Sequence, residues 1–322
     1  MPLVNEAILL ADRSPALRWR VLVELLGVPE DDAEVRELEP LRDAEAAAVP
    51  ITGTTTRELG FALSRLAHLG LRRGHPVVDR VARKLIRMQQ HDGSWPLPRD
   101  RRGDGEGYTM SPLQTSMPLR GLAEAGYATH AACERAYEWL LEQKLEDGSW
   151  PTGTAGGTRA FVAGYRRLPR SNGCRSNTTG ALASLAHHPE LRSSDEARRA
   201  ADILLRRETR EEATFGAEVS RLTGVEEPMG FLTFYARFDL AFLFDISARA
   251  GVSRDDRRMG ELAEELEGRR NDAGLFEHPV YPHLSRWLTL DMLTALRRLD
   301  DATWVSQDDL RTAHGKPKLI RP

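Results

Sequence analysis

One phrase occurs twice in this chain, as Gln89-Gln90-His91-Asp92-Gly93-Ser94-Trp95-Pro96 and as Gln143-Lys144-Leu145-Glu146-Asp147-Gly148-Ser149-Trp150-Pro151. Each copy closes a helical run, and the return after about 55 residues is the length of one helical hairpin with its turns. A single hairpin cannot bury its apolar face, so a chain built this way stacks hairpins side by side. Repeat folds grow by adding units, so the 322 residues are read as one domain.

Helical spacing of apolar residues predicts the units. Thr55 to Gly70 and Pro76 to Gln90 form one hairpin, and Ser111 to Gly126 with Thr129 to Gln143 the next. A third runs over Asn177 to His188 and Ser194 to Glu208, a fourth over Phe231 to Gly251 and Ser253 to Arg270, and a fifth opens at Ser285. Upstream, Ser14-Pro15 to Gly27 and a polar helix near Pro29 to Glu45 make a capping hairpin within residues 1–50. The repeats occupy 55–300, and 301–322 is read as a C-terminal helix and basic tail. The first helix of each pair is apolar on most sides and the second is amphipathic, which places the first inside and the second outside.

Composition excludes several classes. With 45 basic and 48 acidic residues the net charge is -3, and no nucleic-acid reader motif occurs. The two cysteines, Cys133 and Cys174, do not make a disulfide framework. There is no basic leader and no apolar run of membrane-spanning length, so the expectation is a soluble, cytoplasmic protein with no transmembrane segment.

The repeated phrase resembles the QW motif of the prenyltransferase and squalene oxidase repeat, shared by triterpene cyclases and protein prenyltransferase β subunits. A decayed copy, Asn271-Asp272-Ala273-Gly274-Leu275-Phe276, follows the fourth unit. The resemblance covers about Thr55 to Leu299 and implies an all-α fold, a single (α/α)6 toroid with an inner ring of helices around a cavity. The residues themselves also allow an open solenoid.

Aligning the inner helices by their Leu and Gly positions puts Glu58, Gln114, Asn177, Asp239 and Asp291 in one slot. Thr55 with Glu58, and Ser111 with Gln114, read equally as capping boxes. Asp239, on a stripe with Tyr235 and Phe242, is either part of a structural buried pair with Arg237 or Arg286, or a carboxyl that keeps its proton and acts as a general acid. Asp291 would be a second catalytic carboxylate, with Tyr235 beside it. Phe234, Phe238, Phe242, Tyr281 and Trp287 are candidate lining for an apolar or cationic substrate, or core.

The resemblance also suggests where zinc could bind. Protein prenyltransferase β subunits hold it with an Asp-x-Cys segment at a helix start and a later His; here the segment is Asn172-Gly173-Cys174, and His283 is the later candidate. The Asp is missing, and the sequence requires no cofactor. The Asp-x-Asp-Asp segment of triterpene-type cyclases is absent as well. Two long connections, Pro96 to Thr109 and Thr152 to Gly173, carry arginines suited either to solvent or to a diphosphate.

The leading expectation is a terpenoid cyclase-like enzyme acting on an isoprenoid or similar long apolar substrate by acid-assisted cationic chemistry. The alternatives are a zinc-dependent prenyltransferase-like enzyme and a non-catalytic toroid binding or scaffold protein.

Overall fold

The computed structural model describes residues 6–51, 53–95, 111–152, 167–210, 213–226, 236 and 238–306. The described residues form fourteen α-helices, with β-structure limited to isolated bridges. In chain order, α1 is Glu6–Leu10, α2 Pro15–Arg20, α3 Ala33–Ala47, α4 Thr56–His68, α5 Pro76–Ile86, α6 Ser111–Leu122 and α7 Ala131–Glu142. Then come α8 Arg175–Leu185, α9 Asp195–Leu204, α10 Arg207–Arg210, α11 Ala217–Thr223, α12 Leu240–Arg249, α13 Arg257–Glu267 and α14 Ser285–Asp300. Two inner helices run on into a π-helical turn, α2 over Val21–Leu25 and α6 over Ala123–Tyr127.

Each hairpin packs an inner helix on the following outer one: α2 on α3, α4 on α5, α6 on α7, α8 on α9 and α12 on α13. Around the inside, α4 packs on α6, α6 on α8, α8 on α12 and α12 on α14. The cycle is completed where α14 meets the Val21–Leu25 turn and α1. This arrangement is consistent with an α/α toroid. Every residue of α8 except Arg175 is buried, as an inner helix requires, whereas α13 buries only Met259, Leu262, Ala263 and Leu266 along one stripe. Inner helices approach closely where side chains vanish: a Cβ on Gly121 would lie 2.1 Å from the Gly60 carbonyl oxygen.

The repeated phrase does the same structural work in both copies. Gly93 and Gly148 turn the chain at φ 92° and 86°, in the left-handed region that ends helices. Asp92 and Asp147 each accept hydrogen bonds from the amide and hydroxyl of the serine two residues on. The buried indoles of Trp95 and Trp150 donate to the Leu85 and Leu140 carbonyls at 3.0 and 2.7 Å. Their backbone amides donate to Thr115 and Thr178 on the next inner helix, at 3.2 and 3.0 Å. The decayed copy keeps this hook, with the Phe276 amide donating to Thr289 at 2.9 Å.

Several boundaries differ from expectation. The helix expected from Phe231 begins at Leu240, and Phe231 to Tyr235 lie outside the described residues. Helix α11 has no counterpart in the sequence reading. Asp301 to Ser306 form no helix, and the basic tail lies outside the described residues. No helix among the described residues is long and apolar enough to cross a membrane.

Candidate functional site

The last turns of the inner helices carry residues that an apolar ring would not need. Arg20 and Glu24 stand at the end of α2, His68 and Arg72 at and beyond the end of α4, Arg120 and Glu124 at the end of α6. His187 follows α8, Asp245 and Arg249 close α12, and Arg298 closes α14. All of them line one cavity of about 370 Å³. Because six C-terminal ends meet there, the inner helices run in one direction, as alternation of inner and outer helices demands. The ends also concentrate the negative poles of six helix dipoles, which arginines offset. Arg72 does so directly, donating to the Ala67 and Leu71 carbonyls.

The charges form a chain of ion pairs around the wall. Arg20 joins Glu24 at 2.8 Å and Asp291 at 2.9 Å, and His68 donates to Asp291 at 3.0 Å. Arg72 reaches Glu24 at 3.2 Å. Asp245 holds both Arg249, at 2.8 Å, and Arg298, at 2.5 Å. Arg120 lies between Glu124 at 2.7 Å and Glu218 at 2.6 Å, with its guanidinium 4.3 Å from the Phe242 ring centre. Trp287 stacks on His68 with ring centres 4.9 Å apart.

These pairs fix the protonation of the wall. Burial pushes the carboxyls up, but the facing cations outweigh it: Arg20 and Arg72 hold Glu24 below its ordinary value, and Arg249 and Arg298 do the same for Asp245. The charge of Arg120, with hydrogen bonds from Ser64 and Arg120, brings Glu124 down to about 2. For Asp291, His68 and then Arg20 overcome burial and leave it well below the usual carboxylate range. His187 is pushed down to about 3 by burial and by Arg249, and stays neutral. Glu24, Glu124, Asp245 and Asp291 are therefore held as anions in the wall, and His187 as a neutral imidazole.

The expected slot residues fall mostly at the other end of the ring. Glu58 is exposed and closes a capping box with Thr55. Gln114 is buried and donates to the Thr56 hydroxyl of α4 at 2.8 Å, while Asn177 accepts from the Leu113 amide of α6 at 2.7 Å. These side chains stitch neighbouring inner helices together at their starts.

The slot does not extend to the last two members. The threonine hooks align Thr115, Thr178 and Thr289, which puts Leu288 opposite Gln114 and Asn177. Asp291 lies about one turn later, and that offset brings it into the cavity. Asp239 is itself the N-cap of α12, accepting from the Phe242 amide at 3.0 Å and from the Ala217 amide of α11 at 2.6 Å. Burial raises its carboxyl above the ordinary value although both amides favour the anion. One carboxylate thus caps one helix and anchors another, away from the cavity lining; of the two expected arginine partners, Arg286 pairs with Asp12 instead and Arg237 lies outside the described residues.

Of the expected lining, Phe242 faces the cavity. Phe238 is buried under Arg175, 5.0 Å away, and half-buried Tyr281 sits between His278 and His283. Arg286 pairs with Asp12 at 3.2 Å, tying α14 to the chain start. Phe234, Tyr235 and Arg237 lie outside the described residues, as does most of both arginine-bearing connections.

Cys174 is fully buried at the start of α8, its amide donating to the Trp150 carbonyl at 2.8 Å, and His283 is exposed on a 3-10 turn. No group of three or more His, Cys, Asp or Glu able to hold a metal occurs among the described residues. The pair does not fit a zinc site, and no step is built on one.

The sequence carries a signal for the cavity that the slot alignment passed over: acid and arginine four apart at the ends of helices otherwise buried all round, as in Arg20/Glu24, Arg120/Glu124 and Asp245/Arg249. No curated protein matches the chain. Residues 51–170, which hold α4 to α7 and both copies of the repeated phrase, match the family model of the squalene-hopene cyclase C-terminal domain. That domain is one of the terpenoid cyclase and prenyltransferase toroid superfamily, and it is to this domain that residues 51–170 are similar.

Proposed function

We propose that this terpenoid cyclase-like chain acts through the cavity at the C-terminal ends of its inner helices, on a compact isoprenoid-like ligand that carries a charged head group. The observation behind this reading is the wall itself: arginines from five inner helices or their ends, each paired with a carboxylate, beside apolar residues such as Ala67, Val219, Leu222 and Phe242. At about 370 Å³ the space is at the small end of ligand pockets, which span roughly 300–1,000 Å³. A long bare hydrocarbon would strip the remaining solvent from these ion pairs and offer no hydrogen-bonding atoms in exchange, a desolvation cost. A head group with its own hydrogen-bonding atoms replaces the lost water.

The proposal changes the role expected of the carboxylates. Acid-assisted ionisation needs a carboxyl that keeps its proton within reach of the substrate. Asp291, Glu24, Glu124 and Asp245 are held as anions, so they are suited to stabilising positive charge or orienting donors. Support for an isoprenoid body comes from the family match alone.

Thermal shift tests the reading with geranyl and farnesyl diphosphates, the corresponding alcohols, and squalene. A ligand at 100 times its Kd adds about 2.7 kcal/mol. The expected result is a shift with one or both diphosphates, none with the alcohols or squalene, and loss of the shift in Arg298→Gln. An equal or larger shift with squalene or with the alcohols overturns the head-group requirement.

A further inference from the structure

Among the described residues, helix α11 is the one part of the cavity lining supplied by a segment other than the inner helices and their ends. It lies between α10 and α12 in the chain, yet it packs on α4. Four sets of contacts hold it inside the ring, one of them made by Nε2 of buried His278, which meets the Ser220 hydroxyl at 2.8 Å and the Gly216 carbonyl at 3.0 Å. Asp239 receives its first amide. Arg65 of α4 donates to the Leu222 carbonyl at 3.1 Å, at its last turn. Glu218 reaches Arg120 of α6 at 2.6 Å, with both side chains 9% exposed. Between these anchors Val219 and Leu222 line the cavity together with Phe242.

The charges on the two sides of this contact balance separately. Glu218 also pairs with Arg221 of its own helix, and Arg120 also pairs with Glu124 of its own. Withdrawing α11 therefore breaks one ion pair between helices and strands neither charge. A permanent core element usually gains nothing from such redundancy, since an unpaired buried charge costs most when one partner is removed. The helix is delimited by Gly216 and Gly224, both at φ 82°, so its ends are set by two backbone positions that side chains rarely adopt.

We propose that α11 is a displaceable plug that stands in for a ligand: Glu218 occupies the place of an anionic group on Arg120, and Val219 and Leu222 the place of an apolar body. The inference rests on the cavity reading above and adds what fills the deep end of the cavity when no ligand is there. The ligand that takes this place is an apolar chain ending in a carboxylate or phosphate. The same exchange opens a route to Phe242 and the deep arginine.

Amide hydrogen exchange read by mass spectrometry tests the plug on the whole protein. Local openings exchange without global unfolding. The expected result is that peptides covering 217–224 exchange at least tenfold faster than those of α4 and α12, and faster still in Glu218→Gln, with α4 and α12 unchanged. Octanoate should speed the α11 exchange further, and octanol at the same concentration should not. Exchange of α11 at the rate of α4 and α12 in both proteins overturns the plug, and identical effects of octanoate and octanol overturn the ligand mimicry. Arg65→Met, which removes the donor to the α11 carbonyls and leaves Glu218 and Arg120 in place, should also free α11 and provides a second route. Neither readout depends on binding of a prenyl diphosphate, so failure here and failure of the head-group requirement are separate results.

Discussion

Asp291→Asn removes the anion that joins the first and last inner helices. Its two oxygens serve Arg20 at 2.9 Å and His68 at 3.0 Å, side chains that are only 8% and 7% exposed. A hydrogen bond to a charged group contributes about 1.5–3 kcal/mol, and breaking a buried pair costs about 3–5 kcal/mol. Here Arg20 keeps Glu24 at 2.8 Å and the asparagine oxygen still accepts one bond, so the expected loss is about 2–3 kcal/mol. For a chain of this size a loss of 1 kcal/mol lowers Tm by about 2 °C, giving a drop of about 4–6 °C at pH 7.

The pH dependence has a defined sign. Burial works against the Asp291 anion, but His68 and Arg20 prevail, so the folded carboxyl titrates below its unfolded counterpart. Its stabilisation is fully present above about pH 4 and is lost as pH falls toward the folded value. The gap between wild type and Asp291→Asn should therefore be complete at pH 7 and narrow below about pH 4. Urea denaturation at both pH values measures it. A gap under about 0.5 kcal/mol at pH 7, or one unchanged at pH 3, would refute the reasoning. As a control, Arg286→Ala breaks a pair whose arginine is 36% exposed and should cost less than about 1 kcal/mol.

Three further outcomes follow from the geometry. Gly93→Ala would bring its Cβ to 2.3 Å from the Arg135 carbonyl oxygen, whereas Gly148→Ala meets the Arg199 side chain at 2.9 Å. Both pay left-handed strain of about 1–2 kcal/mol, and denaturant melts should show Gly93→Ala as the worse by at least about 1 kcal/mol, because backbone yields less than a side chain. Thr178→Val leaves the buried Trp150 amide without its acceptor and should cost about 1–3 kcal/mol in the same assay, while Thr179→Val, one position on, should cost less. His187, held at about 3 by burial and Arg249, should remain neutral by NMR down to about pH 4. Its folded value lies below the unfolded one, so it withdraws stability as pH falls from about 6.5 toward 3.

What could be read from the sequence was local in origin. The Asp-Gly-Ser-Trp phrase is satisfied within its own turn and by the next helix, so its period reveals the hairpins, and apolar coverage separates inner from outer helices. Glu58, Gln114 and Asn177 form a regular slot because polar side chains at helix starts meet freed backbone groups of their own helix and polar groups of the neighbouring one. That slot lies at the end of the inner helices opposite the cavity. The cavity residues obey no common register: Asp291 is displaced by a turn from its supposed equivalents, and Asp239 is a cap. Their partners come from distant helices, as with Arg20 and Asp291 or His68 and Asp291. Helix α11 is seven residues long, too short to show a period, and Arg65, which grips its last turn, lies 157 residues before Leu222.

The contacts that close the ring have an implication for synthesis. Arg286 and Asp12 are 274 positions apart, and the pairing of Arg20 with Asp291 spans a similar distance. Hairpins can form as they leave the ribosome, each leaning on the one before, because their contacts are short in sequence. The seam between first and last cannot. Until α14 emerges, the α2 helix waits with one face uncovered, and the cavity does not exist as a walled space. A nascent chain of this protein therefore spends most of its translation as an unfinished arc with two apolar ends, the interval in which a chaperone has something to hold.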